Sequence, residues 1–138
     1  MMRLKRGSEY GIHGVLYLAM QPKDKTTLLN EVAEVLKIPK SYLSKIFQTY
    51  TKAGILKSFR GAKRGFALTR PPEKITLKEL VESFEGKLLV EGCSLGRDDC
   101  PQNKHCSISK RLRKAQSAMD EVLEKTSLKD LMMNFKKI

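Results

Sequence analysis

Lys40-Ser41-Tyr42-Leu43-Ser44-Lys45-Ile46-Phe47-Gln48-Thr49-Tyr50-Thr51-Lys52-Ala53 reads as a helix with one apolar face, and Gly54 stops it. Leu43, Ile46, Phe47 and Tyr50 recur at helical spacing and face a core, which leaves Ser41, Tyr42, Ser44 and Lys45 on the outer side. Then the period changes. Ile55-Leu56-Lys57-Ser58-Phe59 is short and partly alternating, and Arg60-Gly61-Ala62-Lys63-Arg64-Gly65 is a basic, glycine-punctuated turn. Phe66-Ala67-Leu68-Thr69 returns as a second strand, so the segment closes as a β-hairpin.

Two helices precede this segment. The first spans 8–20, with Ser8 placed to cap it and Ile12, Val15, Leu16 and Ala19 on one stripe. Gly11 and Gly14 either weaken this helix or mark close packing against another one. After the Gln21–Lys25 turn, the second runs from Thr27 to Leu36 with Leu28, Leu29, Val32, Ala33 and Leu36 inward. Pro39 suits the first turn of the helix that follows. Three helices and a basic hairpin outline a winged helix-turn-helix over residues 1–72.

Pro71-Pro72 ends that unit, and a connecting helix from Thr76 to Phe84 follows, with Leu77, Leu80, Val81 and Phe84 on one side. Residues 86–107 are irregular and hold every cysteine; with the connecting helix they form a second section, 73–107. A last helix covers Ser107 to Glu124. Its apolar positions Ile108, Leu112, Ala115, Met119 and Val122 are spaced 4, 3, 4 and 3, which is a heptad seam. The same spacing serves a helix packed on its own domain. The charged remainder of its surface favours dimerisation, so residues 108–138 read as a dimerisation helix and a loose tail. The fold class is mainly α with a small β-hairpin: a winged helix-turn-helix plus a long C-terminal dimerisation helix.

Charge points to the partner. The 138-residue chain has a formal charge of +12, and residues 1–70 carry 14 Lys/Arg against 4 Asp/Glu, whereas 71–138 carry 13 against 11. No acidic residue stands between Glu34 and Glu73. A one-sided positive field suits a polyanion, since each neutralised phosphate releases counterions. A solvated basic face or an anionic membrane surface is the competing reading, and the helix and hairpin favour double-stranded DNA. On the recognition helix, Ser41, Tyr42, Ser44 and Lys45 reach base edges or phosphates. In the wing, Arg60, Gly61, Lys63 and Arg64 form a narrow basic loop that suits a minor groove. Paired acid/base carboxylates, a phosphate-cradling glycine loop and a Ser/His/Asp set are all missing, which argues against an enzyme. With no apolar span or signal core in the sequence, the expected location is the cytoplasm, without membrane association.

Cys93, Cys100 and Cys106 are spaced C-x6-C-x5-C. An odd number of thiols in a reducing compartment argues against a disulfide framework. Thiolates on a Gly/Pro-rich loop suit an iron–sulfur cluster; zinc or a metal-free thiol/disulfide switch are the alternatives. A fourth ligand is open among Glu9, His13 and His105, and Glu9 and His13 share a face one helical turn apart.

Taken together, Met2-Arg3-Leu4, Glu9-Tyr10-Gly11, Ser41-Tyr42-Leu43, Gly54-Ile55-Leu56, Arg60-Gly61 and the late three-cysteine loop resemble the IscR/NsrR/RirA type of winged-helix regulators over almost the whole chain. The resemblance implies a homodimer whose long helices cross, with each wing unit reading half of a pseudo-palindromic operator. It also implies a 2Fe–2S or 4Fe–4S cluster on the cysteines whose state sets DNA affinity, in a regulator that is more often a repressor. Two features depart from the pattern: six residues rather than five separate the first two cysteines, and Ser109 stands where IscR-like members have a histidine. NsrR-like members take the fourth ligand from an acid in the first helix of the other subunit, and Glu9 matches that position.

Overall fold

The computed structural model describes residues 4–86 and 106–133. Its elements run α1 (Arg6–Ala19), α2 (Leu29–Leu36), α3 (Lys40–Lys52), β1 (Leu56–Phe59), β2 (Gly65–Leu68), α4 (Leu77–Glu85), α5 (Ser107–Lys125) and α6 (Leu128–Met132). The two strands pair antiparallel, Leu56 opposite Leu68 and Phe59 opposite Gly65, with a 3-10 turn at Gly61–Lys63 between them. This is a mainly helical chain with a wing.

Helix α1 is the hub. Val15, Leu16, Tyr17 and Leu18 are buried on it in succession, because α2, α3, α4, α6 and the wing all pack around it. Its glycines let α3 come close. A Cβ at Gly11 would stand 2.4 Å from the Tyr50 hydroxyl, and one at Gly14 would stand 2.9 Å from the Phe47 ring. Any larger residue at either position pushes α3 away, as overpacking does in a filled core. From α3, Leu43, Ile46, Phe47 and Tyr50 complete this core, as their spacing predicts. Tyr50 donates its buried hydroxyl to the Leu80 carbonyl, 3.2 Å away on α4, and burial pushes that phenol well above its ordinary range.

Several expectations need correction. Ser8 does not cap α1; Lys5 holds the N-cap position, and Ser8 lies buried inside the first turns. Helix α2 begins at Leu29 rather than Thr27. Thr27 instead exchanges backbone hydrogen bonds with Phe66 at 3.0 and 2.8 Å, adding a one-residue bridge to the wing. Leu28 is therefore exposed rather than inward. Pro39 sits at the N-cap of α3, just before its first turn.

The C-terminal part returns to the head. Helix α4 opens with a capping box, in which the Thr76 hydroxyl accepts from the Glu79 N–H and the Glu79 carboxylate accepts from the Thr76 N–H. Burial alone would raise the Glu79 carboxyl, but hydrogen bonds from Arg70 and Thr76 outweigh it and hold it below the usual range. After α5 the chain docks beside α4: the Leu77 N–H donates to the Thr126 carbonyl and the Leu128 N–H to the Ile75 carbonyl, both at 2.8 Å. Leu128 is fully buried, so α6 is part of the head's core. The loose tail expected over Met132–Ile138 lies mostly outside the described residues.

Candidate functional site

On α3, Ser41, Tyr42 and Lys45 are exposed and Ser44 is half-buried, opposite the buried Leu43, Ile46 and Phe47. Arg60, Gly61, Lys63 and Arg64 are all exposed on the wing. Among the described residues, ion pairs join Lys25 to Glu31, Arg70 to Glu79, Lys78 to Glu82 and Asp120, and Lys125 to Glu121. Lys40, Lys45, Arg60, Lys63 and Arg64 thus have no carboxylate partner among the described residues. An array of uncompensated cations beside an exposed helix face attracts an anionic strand.

What aims α3 is its seat on α1 and α4. The Tyr42 ring meets Tyr10 edge-to-face with centroids 5.8 Å apart, and its hydroxyl lies at Gly7, where a Cβ would stand 3.4 Å away. Phe84, near the end of α4, touches the same Gly7 position and packs edge-to-face on Tyr50 at 5.1 Å. The next residue, Glu85, accepts hydrogen bonds from the Lys5 N–H and from the Ser8 hydroxyl at 2.9 Å. The Lys5 N–H above all holds the Glu85 carboxyl below the ordinary range, with Ser8 adding to it. So the end of α4, the start of α1 and the first turn of α3 form one contact set. Sequence reasoning missed Gly7, Phe84 and Glu85, because their partners are remote along the chain.

The cysteine site divides across the described boundary. Cys93, Cys100 and His105 lie outside the described residues. Cys106 is half-buried at the N-cap position of α5, whose first turn has no acidic residue, and a helix N-terminus favours negative charge. Glu9 is exposed on the first turns of α1 and His13 half-buried one turn on. Among the described residues no three metal-binding side chains come together, two of the three thiols being outside them.

Helix α5 presents an unusual surface. Ile108, Leu112 and Val122 are exposed, as is Ala115, while Ser109, Asp120 and Leu123 face inward. The Lys78 ammonium contacts Asp120 at 3.0 Å and ties α5 to α4; that contact, first of all, raises the Lys78 ammonium's affinity for its proton. Among the described residues no helix is long and apolar enough to cross a membrane.

Comparison with known proteins bears on this arrangement. The family model described as "Rrf2: Iron-dependent Transcriptional regulator" matches residues 4–134. The chain is 33% identical over 134 residues to the HTH-type transcriptional regulator NsrR of Shouchella clausii, covering 96% of this chain and 90% of that protein. Among solved structures it is similar to CymR, the global cysteine regulator of B. subtilis, with a TM-score of 0.82 and 26% identity over 99% of this chain and 100% of that one. It is also similar to T. potens IscR, with a TM-score of 0.75 and 26% identity over 95% and 86% of the two chains.

Proposed function

The chain belongs to the Rrf2 family of transcriptional regulators, and on that premise we propose that it is a homodimeric DNA-binding repressor whose affinity is set by an iron–sulfur cluster. The observation that carries the DNA-binding part is the set of exposed cations on α3 and the wing that have no carboxylate partner among the described residues, with α3 seated on α1 and α4. Ser41, Tyr42, Ser44 and Lys45 enter the major groove, and Arg60, Gly61, Lys63 and Arg64 address the adjacent minor groove. The protein works in the cytoplasm. Residues 1–72 read DNA and 73–107 connect and sense; within 108–138, α5 holds the dimer together while α6 packs into the head.

The exposed row on α5 supports the dimer. Apolar side chains at heptad spacing that are left in water by their own domain find cover against the same row of a second copy, which presents two heads to a pseudo-palindromic operator.

Cys93, Cys100 and Cys106 are the proposed cluster ligands, with Glu9 of the partner subunit as the fourth. The donor set fits: three thiols suit a 2Fe–2S or 4Fe–4S cluster, and the Glu9 carboxylate faces solvent, as a ligand offered across a dimer must. When bound, the cluster supplies a link between subunits that is sensitive to redox state and small ligands. The chain's own residues do the rest. The cysteine segment begins just after Glu85, which grips Lys5 and Ser8 beside Glu9, and Tyr10 on the same turn supports Tyr42. A pull on Glu9 is therefore passed to the start of the recognition helix, a two-state bias of the kind that switches require.

The test is a visible spectrum with iron and sulfide analysis on anaerobically purified protein. A broad visible band with matched iron and sulfide is expected. A colourless protein after attempted reconstitution removes the cluster and leaves a thiol switch or zinc on the same DNA-binding head. In Glu9→Ala, cluster retention and DNA affinity should change together; if neither moves, Glu9 is not the fourth ligand.

A further inference from the structure

Helix α5 is tied to its own head near its C-terminal end. There the Leu77 N–H donates to the Thr126 carbonyl, and Thr76 pairs with Ser127 in a one-residue bridge. One turn up the helix Leu123 is buried, and beyond it the Lys78 ammonium lies 3.0 Å from one Asp120 oxygen and 3.2 Å from the other. Between 110 and 119 no residue of α5 is buried. We propose that Lys78 and Asp120 are positioning residues that set the angle at which α5 leaves the head, and through it the spacing of operator half-sites that the dimer accepts. The inference rests on the dimeric, DNA-binding reading above and goes further by naming the side chains that decide the half-site separation.

Three observations carry it. First, a rod is aimed by two points, and one turn of α4 supplies both. The Leu77 backbone holds the joint at Thr126, and its neighbour Lys78 holds Asp120. That turn is itself stiff, since the Thr76–Glu79 capping box closes it and Arg70 grips Glu79 at 2.8 Å. Second, the pair is the only thing between carboxylates on the two helices. Glu82 on α4 lies 4.0 Å from the Lys78 ammonium, and Asp120 and Glu124 on α5 both feel its charge. Without that ammonium, Asp120 is a buried carboxylate with no cation, which is costly, and like charges then push α5 off α4. The Lys125–Glu121 pair on the same helix stands in open water, where such pairs hold little.

Third, the helix is long enough to turn a small tilt into a base-pair step. At the rise of an α-helix, Thr126 and Ile108 are about 27 Å apart. A tilt of about 7° at the joint moves the far end by about 3 Å, close to the roughly 3.4 Å that separates successive base pairs. The exposed row of Ile108, Leu112 and Val122 rides on this lever. A second copy seated on that row is therefore carried with it, and the distance between the two recognition helices follows the angle at Lys78.

The experiment measures affinity of the full-length protein for duplexes carrying two half-sites, taken from a duplex that the wild type selects, with the spacer lengthened or shortened by one and two base pairs. A duplex with a single half-site is the reference. The wild type should bind one spacer best. In Lys78→Met the advantage of that spacer over one two base pairs longer should shrink several-fold, while single half-site affinity and the sedimenting dimer stay as in the wild type. Asp120→Asn, which keeps the shape and a weaker hydrogen bond, should move the same way by less, and it carries the test if Lys78→Met fails to fold. Lys78→Arg should restore the preference, and Lys125→Ala, which breaks the exposed pair with Glu121, should leave it alone. A variant pair that weakens every spacer by one factor, as plain destabilisation does, or that keeps the wild-type preference, overturns the proposal. So does a wild type that binds every spacer alike yet more tightly than a single half-site. A wild type that gains nothing from a second half-site brings down the two-headed dimer reading itself.

Discussion

Helices α3 and α5 carry apolar residues at similar spacing and put them to opposite use. In α3 the row of Leu43, Ile46, Phe47 and Tyr50 is buried, and polar and basic side chains face out. In α5 the row is outside: Ile108 is 66% exposed and Val122 64%, whereas Ser109 and Asp120 are only 5% and 6% exposed. The difference teaches that an apolar row announces a contact without saying with whom. Row α3 is met by α1, whose Gly11 and Gly14 were small enough to receive it. Row α5 finds nothing of the kind among the described residues, and the head grips the helix through the Lys78–Asp120 pair on its other side.

The largest effect expected on this comparison comes from emptying the buried row. Phe47 has no exposed surface, lies against Gly14 and packs edge-to-face on Phe66 at 5.0 Å. Phe47→Ala should cost about 3–5 kcal/mol in urea unfolding. Against a usual total of roughly 5–15 kcal/mol, that leaves a marginal fold. A loss below about 1 kcal/mol, the scale of a surface change, would mean that the α1–α3 seam is not the centre of the core.

The same chemistry applied to the exposed row should act on assembly instead. The double variant Ile108→Glu/Val122→Glu should sediment as a monomer where the wild type is a dimer. Its head should unfold within roughly 1 kcal/mol of the wild type once the concentration-dependent part is removed. Binding to a two-half-site duplex should weaken while contact with a single half-site survives. A variant that stays dimeric breaks the comparison, because α5's row would then be ordinary exposed surface.

Much of this contrast was legible in the sequence, because period and breaker residues are local. The helix at Lys40–Lys52, the Gly54 stop and the hairpin all follow from neighbours along the chain. What was not legible depends on distant partners. Ser8 looks like a cap, yet Glu85, 77 positions away, claims its hydroxyl. Leu28 fits the inward spacing of α2, but Phe66 recruits Thr27 into a bridge, so the helix starts two residues later and Leu28 turns outward. Helix α6 is five residues long, too short to show a period, and Leu128 is buried only because the chain returns to Ile75. Lys40 on α3 and Arg60 and Arg64 on the wing line one groove because the wing folds back, which no local pattern records. For the cysteine segment, the chemistry of the thiols remains the argument, since only Cys106 falls within the described residues.

The smallest effect expected lies at the joint between the two regions, where Glu85 at the end of α4 holds the start of α1. The Lys5 N–H and the Ser8 hydroxyl depress its carboxyl, so the folded value lies below the unfolded one of about 4.3. A depressed carboxylate stabilises fully above its unfolded value, and that contribution is lost as pH falls through the folded one. Glu85→Ala should therefore be less stable than the wild type at neutral pH, and the gap should close as both are acidified past the unfolded value and through the lower folded one. Subtracting the two proteins removes Glu79, whose carboxyl is also depressed but is present in both. Amide exchange at Ser8 and Glu9 should quicken in the variant at neutral pH while exchange at Val15, deeper in α1, stays slow. A gap that is the same at both pH values would mean that Glu85 acts by packing rather than by charge. The grip on Glu9's turn would then persist in acid, and the link from α4 to the recognition helix would have to run through the Phe84 and Tyr42 contacts at Gly7 instead.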